Sequence, residues 1–129
     1  MATTSQYVAT TKNGTLAQAT VANTGRDGTG TLATILTAGV TGSRVDAIVF
    51  NAPGTVTAGM LRLFITIGAD TRLLDEISVV ATTPSATVMS WRLNYIPTVP
   101  IVLEAAAVLK FSTNNAETFN AIAIYAGDF

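Results

Sequence analysis

Between Met60 and Ile67 the side chains alternate with a period of two, and this most restricts what the chain can become. Leu61, Leu63, Ile65 and Ile67 point one way, while Met60, Arg62, Phe64 and Thr66 point the other. Gly68-Ala69-Asp70-Thr71 then breaks the run with residues that favour turns. A second strand-like run, Arg72–Val80, follows at once. So short a connection predicts an antiparallel pair, hence a sheet with at least one buried face.

The rest of the chain repeats this alternation of short apolar runs and turns. The densest turn signal is Ala22–Gly30 (ANTGRDGTG), with three glycines beside Asn and Asp. No Gly-Lys-Ser/Thr follows it and one carboxylate cannot make a calcium loop, so it reads as a tight turn entering a strand. Thr31–Thr37 and Arg44–Ala52 are β-prone; in the latter Ile48 and Phe50 share one face and Val45, Ala47 and Val49 the other, as in a strand covered on both sides. Thr87–Tyr95 alternates again, with Met89, Trp91, Leu93 and Tyr95 on one face and Val88, Ser90, Arg92 and Asn94 on the other. Pro97 and Pro100 mark an edge or crossover. Ile101–Ser112 fits either two helical turns or two strands bent at the alanines, and Pro100 with its β-rich surroundings favours the strands. Thr118–Ala126 is the last strand, with Phe119 and Tyr125 on one face and Ile122 and Ile124 on the other. Eight or nine short strands with turns every eight to twelve residues predict an all-β antiparallel β-sandwich, jelly-roll-like in its connections. The predicted division is an extended N-terminal arm over residues 1–20 and a β-sandwich domain over residues 21–129. The arm is poor in large apolar residues and is either loosely ordered or laid on a neighbouring subunit.

Composition narrows the function. Of 129 residues, 49% are hydrophobic but only 12% charged, against about 25% in ordinary soluble domains, so some surface is expected to rest against neighbours. A net charge of −1 with no basic run argues against nucleic acid, and no apolar run is long enough for a membrane helix. The N-terminus lacks the basic start and apolar centre of a Sec-type signal peptide. Without His or Cys, neither His-dependent nucleophile systems nor imidazole- or thiolate-held zinc can be built. Asp75 and Glu76 are adjacent and point to opposite faces of a strand, while Asp27, Asp46 and Asp70 sit at turns. No catalytic residue, cofactor or metal is expected, and the chain is not read as an enzyme.

The candidate residues are therefore interface residues: Tyr7 in the arm, Met60, Arg62 and Phe64 on the central strand, and Trp91, Arg92 and Tyr95. Large apolar groups around an Arg match an interface core, or else a face covered within the same chain. Arg62, Arg72 and Arg92 serve solubility or pair with Asp75, Glu76 or Glu104 of another subunit. Trp91 and Tyr95 are core or interface anchors, or a sugar-stacking platform.

Together, ANTGRDGTG at Ala22–Gly30, AGMLRLFI at Ala58–Ile65 and the terminal NAIAIYAGDF resemble the small decoration, or cement, proteins of tailed-phage heads. The resemblance implies a virion protein, a homotrimer on the outer capsid surface, with the major capsid protein as its partner. The alternative is a receptor- or carbohydrate-binding β-sandwich of a phage fibre or baseplate, using Trp91, Tyr95 and nearby Asn residues. A shell subunit forming its own cage fits the length less well.

Overall fold

A computed structural model describes residues 8–129. Ten strands run through it: β1 Thr10–Thr11, β2 Ala17–Ala19, β3 Ala33–Thr37, β4 Ser43–Ala52, β5 Gly59–Ile67, β6 Asp70–Val79, β7 Trp91–Tyr95, β8 Ile101–Leu103, β9 Val108–Thr113 and β10 Phe119–Asp128. They form two antiparallel sheets. The first has the order β1-β10-β4-β7, with β2 also on β10 and β8 also on β4; the second has the order β3-β9-β5-β6. With β1 and β2 counted as one interrupted strand and β7 and β8 as another, the orders become 1-8-3-6 and 2-7-4-5. That is two nested Greek keys, a jelly roll, as the sequence predicts.

The central hairpin forms as expected, Ile67 facing Asp70 across a two-residue loop. Gly68 sits at φ 62° at the first loop position, which a primed turn needs to match the strand twist. Ile101–Ser112 makes two strands with a turn at the alanines, closed by the Ala107 amide on the Glu104 carbonyl at 3.1 Å. Ala106 holds that turn at φ 65°, where a Cβ is strained. Ala106→Gly should therefore stabilise the fold by about 1 kcal/mol, seen as a rise in melting temperature of about 3–5 °C.

The core lies between the sheets. Phe50 packs edge-on to Phe111 at 5.7 Å and to Tyr95 at 6.2 Å, and Trp91 edge-on to Phe119 at 5.6 Å. Ile35, Leu36, Val45, Ile48, Leu61, Leu63 and Leu109 fill the space around them. Two bulges change the expected faces. β10 carries Ile124 as an extra residue between Ala123 and Tyr125, and β4 carries Asp46 as an extra residue between Val45 and Ala47. A bulge shifts the phase of alternation by one residue. Val45 thereby joins Ile48 and Phe50 in the core, and Ile124 and Tyr125 both turn outward. Among the described residues nothing covers the outer face of β4, where Val49 and Asn51 are half-exposed.

The N-terminal boundary moves as well. Thr10 and Thr11 pair with Asp128 and Gly127, and Ala17–Ala19 pair with Phe119–Ala121, so the sandwich begins by Thr10 rather than at residue 21. An outermost strand sends only Ala17 and Ala19 into the core, which is why hydropathy does not mark it. Lys12 fastens this stretch, its Nζ donating to the Asp128 carboxylate and to the Thr37 carbonyl, both at 2.8 Å. Ser43 donates to the same carboxylate oxygen. The Lys12 and Ser43 bonds hold the Asp128 carboxyl below its usual range. Folded Asp128 thus binds a proton less readily than unfolded Asp128. The latch stabilises above the ordinary carboxylate range and loses its contribution as pH falls through the lowered folded value. Urea unfolding followed from neutral to acid pH should show Asp128→Asn less stable at pH 7 and less acid-sensitive than the parent.

Candidate functional site

The two sheets treat their outer faces differently. On the second sheet, Met60, Arg62, Phe64 and Thr66 of β5 face outward, but the glycine-rich stretch that follows β2 covers them. It is held by the Asn23 amide on the Thr113 carbonyl at 2.8 Å, an Arg26–Glu76 ion pair at 2.9 Å, and Gly28, where a Cβ would meet the Thr71 carbonyl at 2.6 Å. The stretch is a strap over the sheet, not only a tight turn. Beneath it Phe64 is fully buried. Arg62 is 3% exposed and bonds Glu76 at 3.2 Å, the Asn23 carbonyl at 3.3 Å and Asn114 Oδ1 at 3.1 Å.

Among the described residues the first sheet has no such cover. One rung crosses it through four strands, Gln18–Asn120–Asn51–Arg92. The side-chain amides bond in a single direction, Gln18 Nε2 to Asn120 Oδ1 at 2.9 Å and Asn120 Nδ2 to Asn51 Oδ1 at 3.0 Å. The Asn51 amide group and the Arg92 guanidinium are left as donors at the end of the ladder. The next rung is Ile122–Val49–Asn94, and beyond it Tyr125 faces Ala47. These rungs floor a groove of about 440 Å³ lined by Val49, Asn51, Met89, Ser90, Arg92, Ile122 and Ile124. A hollow of about 170 Å³ adjoins it, bordered by Asn94, Ile96 and Tyr125. Met89 is 77%, Ile96 72% and Tyr125 65% exposed. The two linings hold Asn51, Ser90, Arg92, Asn94 and Tyr125 as their polar side chains, among apolar Val49, Met89, Ile96, Ile122 and Ile124.

No protein-family model, curated protein or solved structure matches this chain.

Of the interface residues expected from sequence, the structure puts one on the open face, Arg92, which is exposed and reaches only Asn94 Oδ1 at 3.4 Å. Tyr7 lies outside the described residues. Met60 is half-buried, and Arg62 and Phe64 lie under the strap. Arg62 does pair with Glu76, as one expectation had it, but within the chain. Trp91 is a core residue against Phe119. Tyr95 is half-buried against Phe50, and its hydroxyl donates to Asp75 Oδ2 at 2.6 Å, joining the edges of the two sheets. Burial, reinforced by that bond, holds the Tyr95 phenol well above its usual range, so it remains a donor at neutral pH. A sugar platform of Trp91 and Tyr95 therefore does not form. Asp75 also accepts from the Glu76 amide at 2.8 Å, which satisfies one donor of outermost strand β6.

Sequence reasoning missed Gln18, Asn51, Asn120, Met89, Ile122, Ile124 and Tyr125. The legible signal was an Asn at an outward position in two strands, Arg44–Ala52 and Thr118–Ala126, where β-branched residues are the usual choice.

Proposed function

We propose that this chain is a structural virion protein, a capsid decoration protein that binds the outer surface of a phage head as a homo-oligomer and stabilises the shell. One observation carries the reading: the jelly roll seals one outer face with its own strap and leaves the other open, a polar rung beside exposed Met89, Ile96, Ile124 and Tyr125, with Arg92 as the charge lining its groove. Large exposed apolar side chains beside unsatisfied donors are interface chemistry. The major capsid protein is the proposed partner, and neither substrate nor cofactor is required. Stabilisation then follows from mass action, because a ligand that binds the assembled shell and not its dispersed subunits shifts the equilibrium toward the shell.

The test is binding of the purified protein to empty, expanded heads. Saturable binding with a rise in head melting temperature is the expected result. Absence of binding, or binding that leaves the melting temperature unchanged, would overturn the reading.

A further inference from the structure

We propose that the groove at Arg92 receives the Val102–Glu104 segment of a second copy of this chain. This names the occupant of the open face and rests on reading that face as an assembly surface.

The charges lead to this assignment. Charged residues are few, seven basic and eight acidic, and most are matched within the chain. Lys12 pairs with Asp128, Arg26 and Arg62 with Glu76, Arg44 with Asp46 and Arg72 with Asp70. Asp27 is bonded by Thr29, Asp75 by Tyr95 and Glu117 by Thr57. Among the described residues, Glu104 is the carboxylate with neither an ion pair nor a hydrogen bond to its side chain, and it is exposed. Among the described residues, Arg92 and Lys110 are the cations without a carboxylate partner; Lys110 is half-buried opposite Phe64 on the other sheet, so Arg92, in the groove, is the exposed one.

The surroundings of the two residues match. Val102 is 63% and Val99 73% exposed beside Glu104, an apolar segment carrying one anion. The groove is an apolar floor carrying one cation and the free Asn51 donor. The spacing matches too. Along β4, Asn51 on the polar rung and Val49 on the apolar rung are two residues apart, or about 6.7 Å. Val102 in β8 and Glu104, the residue just past its end, are also two positions apart. With Glu104 on the Arg92–Asn51 rung, Val102 falls on the Val49–Ile122 rung.

The groove and the Val102–Glu104 segment are two patches of one sheet, since β7 and β8 both pair with β4. Arg92 of one copy therefore meets Glu104 of another either reciprocally about a two-fold axis or in succession around a ring.

The experiment is charge reversal with mass measured by light scattering. The parent should be a closed oligomer. Arg92→Glu and Glu104→Arg should each weaken association by about a hundredfold and yield monomer, and the double variant should reassemble. Both sites are exposed, so unchanged circular dichroism confirms that each variant folds. A monomeric parent, single reversals that stay assembled, or a double variant that stays monomeric would each overturn the contact. Head binding separates the two proposals. An oligomer that behaves as expected but ignores heads overturns only the decoration reading. Head binding by a protein whose Arg92→Glu variant stays oligomeric overturns only the contact.

Discussion

Phe64→Ala should lower the unfolding free energy by about 3–5 kcal/mol, the range for a fully buried phenylalanine whose cavity cannot collapse. Phe64 has no exposed surface although it points away from the main core. It lies opposite Leu73 and Lys110 on the neighbouring strands, between Arg62 and Thr66 on its own. Arg62 contacts the strap at Asn23, and Thr66 bonds Thr71 at 2.7 Å, where Gly28 packs. The ring thus fills a second, smaller core whose roof is anchored on both sides and cannot follow a shrinking side chain. Domains of this kind are stable by about 5–15 kcal/mol, so the loss is a large fraction of the total. Urea unfolding over a series of protein concentrations checks the assignment. A fall that does not depend on concentration is expected. If Phe64 instead lay between copies, the variant would match the parent once both were dilute, and a loss below about 1 kcal/mol would contradict its place under the strap.

The β-sandwich and its hairpin were legible because they rest on local signals. Alternation marked β4, β5, β7 and β10, and glycine or proline marked their ends. What misled was anything that breaks a strict period of two. Ile124 and Asp46 look like ordinary strand residues, yet as bulges they move Tyr125 outward and Val45 inward. No residue type announces a bulge of this kind. The faces of β5 were assigned correctly by alternation, but what covers its outer face was not. The strap reads locally as a turn because glycines dominate it, and its role depends on Thr113, Glu76 and Thr71, which are distant in sequence. Trp91 and Arg92 show the same limit at one residue's resolution. Adjacent on β7, one enters the core and the other lines the open groove. Periodicity separates their faces but does not say which face is closed.

Arg62→Ala should cost about 3 kcal/mol, and the comparison with its neighbours tests why. Its guanidinium is nearly buried and serves Glu76, the Asn23 carbonyl and Asn114 together. Truncation leaves the two neutral acceptors without this donor, opens space where the stem packed, and frees the strap at Asn23. Glu76 keeps Arg26 and is 30% exposed, so no isolated anion is left behind. Glu76→Gln acts in the opposite sense: it leaves a nearly buried cation with only neutral acceptors. Water at the rim softens that penalty to about 2 kcal/mol. Arg26 is 57% exposed, so Arg26→Ala should cost at most about 1 kcal/mol despite its shorter bond to the same carboxylate oxygen. Denaturant unfolding of the three variants should rank them in that order. Hydrogen exchange at Ala22–Thr31 should quicken most in Arg62→Ala, because the roof over Phe64 loses a tether that lies beneath it rather than at its rim. Equal losses for Arg26→Ala and Arg62→Ala would mean that surface charge holds the strap, and that Arg62 belongs with the solubilising arginines.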